Sequence, residues 1–235
     1  MSIKIHQLPE VLETYFLDEA RTTPTAYWSC ASANVGFLGP GVKRLAGQGI
    51  MAGWALTVSV PPDDNLATYV ALQYMLDHAT AGRWVMVISP WENSNGGDAA
   101  LWSYMQSAMG WEVGFVGAVV SGHARDIDEL KEKLEKEFSV FGYGTSPVKA
   151  SVTPEGEIGS PVTINGVSIR TGDLIVGDSD GVICVPKDQV VDTAEKCRVG
   201  IVEEVNLLQH VREGRGAVDV MGYREILAGK VDIEE

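Results

Sequence analysis

The sequence predicts an α/β fold: a single compact domain with a central, mainly parallel sheet flanked by helices, a β-rich closing section and a C-terminal helical arm. Three observations carry this expectation. In the first half, buried-type apolar runs alternate with helical segments, the order of βαβ units. After residue 140, short apolar runs are separated by turn signals at Pro154-Glu-Gly, Ile164-Asn-Gly and Arg170-Thr-Gly. From residue 188 the pattern returns to helix and is ended by Gly214.

Taken in order, residues 8–18 follow a helical period and predict a small helix packed on the body. Residues 27–41 are Gly, Pro and Ser rich and read as an irregular approach. The run 50–60 has the apolar and β-branched content of a buried strand and stops at Pro61-Pro62. Asp63-Asp64-Asn65 can cap a helix over 66–79, which Gly82 ends. A buried strand over 84–89, a loop carrying Asn95-Gly96-Gly97-Asp98, a helix over about 99–109 and a strand over 114–124 follow. Residues 128–138 then form a charged helix, and the β-rich section after it reads as a change of pattern, not as another βαβ unit. No repeat of 20 to 50 residues is visible, which excludes solenoids. The domain spans 1–235, with a core over about 30–190 and the arm over about 188–235.

Composition excludes several functions. With 235 residues, 45% of them hydrophobic and 21% charged, the chain is an ordinary packed protein. Its formal charge of −14 argues against nucleic acid as a partner, because such binding needs Lys and Arg to displace counterions from phosphates. No stretch approaches the roughly 20 apolar residues that cross a bilayer, so no membrane role is expected. Cys30, Cys184 and Cys197 are odd in number and lack metal-site spacing, which fits a reducing, cytoplasmic setting.

The chemistry centres on Arg125-Asp126, a charged pair at the end of the apolar run 114–124. Arg125 offers a planar fork of donors that matches a carboxylate, and Asp126 is a hard oxygen ligand for a divalent ion. The bland readings are that Arg125 pairs with an acidic neighbour and that Asp126-Ile-Asp-Glu129 is a capping box. The amides around Gly96 and Gly97, placed at a helix start, can bind a substrate carboxylate; the same residues also suit an ordinary turn. On a strand, Ser121, His123 and Arg125 share a face, so His123 can serve as proton donor or metal ligand, or else be a half-buried histidine bonded to backbone.

These residues also carry a family likeness. Gly117-Ala-Val-Val-Ser-Gly122-His-Ala-Arg125-Asp126 resembles the Gly-x-Val-Val-x-Gly-x-x-Arg-Asp signature of the RraA-like family, which includes 4-hydroxy-4-methyl-2-oxoglutarate (HMG/CHA) aldolases. Gly53-Trp-Ala55-Leu-Thr57, Asp64-Asn65-Leu66, Gly97-Asp98-Ala-Ala-Leu-Trp102, Gly166-Val167, Gly172-Asp173 and the run from Asp178 to Pro186 extend the resemblance over about residues 30–225. It implies a swivelling β/β/α fold and a lyase that cleaves or decarboxylates small 2-oxo or hydroxy acids through a pyruvate enolate, dependent on Mg²⁺ or Mn²⁺. It also implies a homotrimer or hexamer with sites between subunits.

By the same resemblance, Arg125 and Asp126 are candidate catalytic residues; His123, which stands where the family usually has a small residue, joins them from its place on the strand face. Gly96, Gly97, Asp98, Tyr104 and Arg125 are the substrate-binding candidates. Asp126, together with Glu204 from a neighbouring subunit, forms the metal set, although exposed glutamates are routine on helices. The chain departs from the family at Tyr104, where an Asp usually stands 21 residues before the Arg, and at Ser103, where Gly is usual. A phenol does not replace that charge at neutral pH. The departure keeps a second reading open: a regulator that docks on a protein partner such as ribonuclease E.

Overall fold

The computed structural model describes residues 2–78, 82–91, 97–228 and 230–231. The chain opens with β1 (Ile3–Ile5) and two short helices, α1 (Tyr15–Ala20) and α2 (Thr25–Ala31), followed by β2 (Lys43–Ala46) and β3 (Met51–Val60). The expected helix over 8–18 is thus confined to its C-terminal end, and α2 occupies part of the stretch expected to be irregular. α3 (Leu66–His78) leads to β4 (Trp84–Pro90). After β5 (Ala100–Trp102) come α4 (Tyr104–Glu112), β6 (Phe115–Ala124), α5 (Ile127–Leu134) and β7 (Ser139–Thr145). Short strands β8 (Gly156–Ile158), β9 (Val162–Ile164), β10 (Val167–Ile169), β11 (Leu174–Gly177) and β12 (Val182–Val185) close the domain. A 3-10 turn over Lys187–Gln189 opens α6 (Val190–Arg212), followed by α7 (Ala217–Val220) and α8 (Arg224–Leu227).

The main sheet runs β1-β8-β3-β4-β6-β7-β2, with β11 and β12 joined through β3 and β5 joined through β6. β3, β4, β6 and β7 are mutually parallel, as the βαβ order requires. β7 corrects one expectation: β6, α5 and β7 form a further parallel crossover, so the βαβ pattern does not stop at Arg125. The charged sequence of α5 hides this, since Leu130 is its one buried residue.

Strand periodicity sorts the core into two layers. Trp54, Leu56, Val58, Met86, Ile88, Ala118 and Val120 face the helices. Ala55, Val85, Val87, Val119 and Phe141 face the β-rich section, where they meet Ile164, Ile175 and Cys184. Gly117 of the signature is required by this packing: a Cβ there would stand 2.1 Å from Met51 Sδ and 2.6 Å from the Ser139 carbonyl.

Two acidic motifs prove to be scaffold. Asp173 accepts the amides of Arg170 (2.8 Å) and Lys187 (2.9 Å) and so ties the turn before β11 to the start of α6. Its burial nonetheless pushes the carboxyl above its ordinary range. Asp178 accepts the Thr25 amide (2.8 Å) and hydroxyl (2.6 Å), which seats α2. Cys184 lies in β12 with 1% exposure and is a core residue.

Candidate active site

The C-terminal ends of β4, β6 and β7 define one edge of the sheet, the edge where parallel α/β folds place their sites. Arg125 follows β6 there, with its amide bonded to the Trp102 carbonyl at 3.0 Å. Its Nε lies 3.6 Å from Asp126 Oδ2, and the two side chains are 31% and 41% exposed. Asp126 occupies the N-cap position of α5 in the left-handed region, φ 60°, ψ 34°, and its side chain makes no capping hydrogen bond. The capping-box reading therefore fails, and the carboxylate is left facing solvent and Arg125. A non-glycine residue held in this conformation beside a reactive-type pair is a recurrent feature of functional sites.

His123 is half-buried two residues earlier. Its Nδ1 is buried and meets no hydrogen-bond partner among the described residues, so the alternative of a backbone-bonded histidine fails for that atom. Strand period two does not hold unbroken along this part of β6. The register of β6 against β7 slips between Val120 and His123, so Ser121 and Gly122 together oppose Tyr143. Ser121 Oγ reaches Tyr143 Oη at 3.5 Å, whereas the His123 ring lies over Gly144, 3.4 Å from where a Cβ would stand.

The segment before α4 departs most from expectation. No helix begins at Ala99: β5 pairs with β6, Ala100 opposite His123 and Trp102 opposite Ala124, and α4 starts at Tyr104. Gly97 and Asp98 therefore lie in a bend before a strand, and Gly96 lies outside the described residues. Asp98 is exposed. The signal that locates the true start was present in the sequence, since Ser103-x-x-Gln106 has capping-box spacing. Ser103 Oγ donates to Gln106 Oε1 at 2.9 Å, and Gln106 Nε2 donates to Thr68 Oγ1 at 2.7 Å and to the Leu101 carbonyl at 3.3 Å. This buried chain anchors α4 to α3. Because Ser103 is spent on Gln106, no side chain caps the first turn of α4, which begins two residues beyond the carbonyl that binds Arg125.

The Tyr104 ring lies 5.1 Å from Lys133 Nζ of α5 and packs against the helix-side core. Trp102 is fully buried, with its indole N–H on Ser107 Oγ at 2.8 Å.

Asp63 and Asp64 contribute more than a cap for α3. Asp64 Oδ1 does accept the Leu66 amide at 2.9 Å, as expected. Its Oδ2 also accepts Ser151 Oγ (2.8 Å), the Thr153 amide (2.7 Å) and Thr153 Oγ1 (2.9 Å). Asp63 Oδ1 accepts the Ala99 amide at 2.7 Å.

Glu204 sits on α6 and accepts a hydrogen bond from Tyr27 of α2, a contact that raises the tyrosine's pKa. α6 packs on α1, α2 and α7, and within one protomer Glu204 is not brought to Asp126. Among the described residues no group of three or more His, Cys, Asp or Glu side chains forms a metal cluster. Among the described residues of one protomer, Asp126 is the carboxylate beside Arg125, paired with it at 3.6 Å but not spent on capping α5. That donor fits an ion such as Mg²⁺, which keeps most of its waters and takes one or two carboxylates, and does not fit a zinc site.

Comparison with known proteins agrees with this architecture. The profile of the RraA-like family, described as Aldolase/RraA, matches residues 26–184. A Halalkalibacterium halodurans protein named provisionally as a 4-hydroxy-4-methyl-2-oxoglutarate aldolase is 33% identical over 79% of this chain and 83% of its own. The 4-hydroxy-4-methyl-2-oxoglutarate aldolase of Thermus thermophilus is 28% identical over 62% of this chain and 81% of its own. Among solved structures, an uncharacterised protein of Pseudomonas syringae superposes with a TM-score of 0.72 at 25% identity, covering 91% of this chain and all of that one.

Proposed function

The chain belongs to the RraA-like family, and on that premise we propose that it is a divalent-metal-dependent lyase that cleaves or decarboxylates small 2-oxo or hydroxy acids to pyruvate. The observation that carries this reading is the Arg125–Asp126 pair: two opposite charges at the sheet edge, solvent-reachable, with Asp126 not spent on the helix it precedes.

Arg125 binds the substrate carboxylate through its fork. The uncapped amides at the start of α4, Tyr104 among them, add hydrogen-bond donors to the same anion, a role the sequence assigns to the amides around Gly96 and Gly97. Gly97 and Asp98 form the rim. Asp126, with Glu204 of a neighbouring copy, would hold a Mg²⁺ or Mn²⁺ ion, which supplies Lewis-acid stabilisation of the negative charge that develops on the enolate. When the C–C bond breaks, its electron pair enters the enolate and the other fragment leaves as a carbonyl compound or CO₂; His123 delivers to the enolate carbon a proton taken from the substrate hydroxyl in the aldol cleavage, or from solvent in the decarboxylation, to give pyruvate.

The homo-oligomer that this requires, a trimer or hexamer, is supported by the arm. α6 buries Val190, Thr193, Ala194 and Cys197 near its start, but no residue described from 201 to 228 is buried. That stretch nevertheless carries Val202, Val205, Leu208, Val211, Met221 and Ile226, which a helix in water has no reason to display without a partner.

The test is pyruvate release from 4-hydroxy-4-methyl-2-oxoglutarate or oxaloacetate, with and without chelator. Activity that needs Mg²⁺ or Mn²⁺ and disappears in Arg125→Ala supports the lyase. Silence across a panel of 2-oxo acids overturns it in favour of a binding role.

A further inference from the structure

Asp63 links the start of α3 to the segment that leads into β5. Its backbone lies in the left-handed region, φ 57°, which Asp tolerates better than most side chains. Its carbonyl accepts the Ser151 amide at 2.7 Å and hydroxyl at 3.0 Å, which ties it to the segment that follows β7. Its Oδ1 accepts the Ala99 amide at 2.7 Å. A Cβ built on Gly97 would stand 1.8 Å from the same oxygen and 2.0 Å from Cγ, so the carboxylate fills the space that any side chain at 97 would need.

We propose that Asp63 is a positioning residue of the site, locking the bend at Gly97–Ala99 and, through β5, setting the places of His123 and Arg125. The path is short. Ala99 is followed directly by Ala100, the register partner of His123, and Trp102 supplies the carbonyl that holds the Arg125 amide at 3.0 Å. A charged acceptor on one amide and a steric fit against one glycine fix the entry to β5 more firmly than a turn of this composition fixes itself. The functional half rests on the lyase reading; the structural half rests on geometry alone.

The experiment compares wild type with Asp63→Asn, Asp63→Gly, Gly97→Ala and the double variant Asp63→Gly/Gly97→Ala. Asn keeps an acceptor and tolerates the backbone, whereas Gly keeps the backbone and removes the acceptor, so neither need unfold the protein. Amide hydrogen exchange over 97–103 is read alongside KM and kcat for pyruvate release. Asp63→Asn, which keeps a neutral acceptor, is expected to fall between wild type and Asp63→Gly. Asp63→Gly is expected to raise exchange over 97–103 by about tenfold or more, with the melting temperature little changed, and to raise KM several-fold with a smaller effect on kcat. Gly97→Ala is expected to disturb the bend alone but to be tolerated once Asp63 is Gly. Wild-type exchange in Asp63→Gly, or equal damage from Gly97→Ala with and without Asp63, overturns the proposal. If wild type releases no pyruvate, exchange and the Gly97 coupling still decide on Asp63, and only the lyase reading falls.

Discussion

Asp126 turns into the left-handed region directly after Arg125, and its Oδ2 stands 3.6 Å from the Arg125 Nε while α5 begins without a side-chain cap. A pair this exposed contributes little to stability, a fraction of a kcal/mol by analogy with other surface ion pairs. Its loss is therefore expected to register in turnover and hardly in folding. Arg125→Ala should lower kcat/KM by about a hundredfold or more, the cost of a charge-assisted contact to the substrate carboxylate, with an unchanged melting curve. Arg125→Lys should recover only part, since a point charge lacks the fork. Wild-type kinetics in Arg125→Ala would place the substrate elsewhere.

Asp126→Asn tests the cation. Asn accepts the left-handed backbone as readily as Asp, so the variant changes charge without changing shape. Mn²⁺ binding, followed by electron paramagnetic resonance or calorimetry, is expected to weaken at least tenfold, and activity removed by chelator should return with Mg²⁺ or Mn²⁺ in wild type alone. Glu204→Gln should weaken the same binding in the oligomer. Equal Mn²⁺ affinity in wild type and Asp126→Asn contradicts the ligand assignment.

For His123 the relevant facts are a buried Nδ1 with no hydrogen-bond partner among the described residues, and a Cδ2–Nε2 edge turned toward Gly144. A general acid placed there is worth about two orders of magnitude. His123→Ala should therefore lower kcat by roughly a hundredfold with KM little affected, and His123→Gln should not restore it. Unchanged turnover in steady-state assays removes His123 from the chemistry.

The strands of the central sheet were legible because burial on both faces leaves continuous apolar runs, and β3, β4 and β6 each fall within a residue or two of the expected limits. Arg125-Asp126 was legible because charge at the end of such a run has no packing role. The entry to α4 was not. Ala99-Ala-Leu-Trp reads equally well as helix, and what makes it β5 is tertiary: pairing with β6 and the carboxylate of Asp63, 36 residues away in sequence. The role of Asp63 was hidden for the same reason, since its partner Ala99 carries no polar side chain to announce the contact. α2 was missed because Gly, Pro and Ser nearby masked a helix whose start is held by Asp178.

Asp64 is a test of the scaffold beneath the site. Its carboxylate is 1% exposed and accepts four hydrogen bonds, from Leu66, Ser151 and both donors of Thr153. Removing it leaves buried donors unmet, which costs about 3 kcal/mol. For a chain of this size that corresponds to a drop of roughly 6–12 °C in melting temperature. Scanning calorimetry of Asp64→Ala is the measurement, and a loss under 2 °C contradicts the network.

The three thiols separate by environment, which makes pH a probe of the fold. Cys30 is exposed, whereas Cys184 and Cys197 are each 1% exposed. Burial, reinforced by nearby Glu19, pushes the Cys197 thiol up to about 12, and burial together with Asp173 raises Cys184 further. At pH 8 the folded protein therefore keeps Cys197 almost wholly as the thiol. A thiol-specific reagent such as dithiobis-nitrobenzoate should titrate one thiol per chain at pH 8 and all three after urea. The linkage has a definite sign. In the unfolded chain these thiols ionise near pH 8.5, while the folded state keeps its protons to higher pH, so the unfolded state binds fewer protons in between. The stabilisation is complete below about pH 8.5 and declines as pH rises toward 12, so the urea midpoint should fall from pH 7 to pH 10. A Cys197→Ala/Cys184→Ala protein should lose most of that slope, and two or more rapidly reacting thiols in the folded wild type at pH 8 would contradict the burial from which the slope is derived.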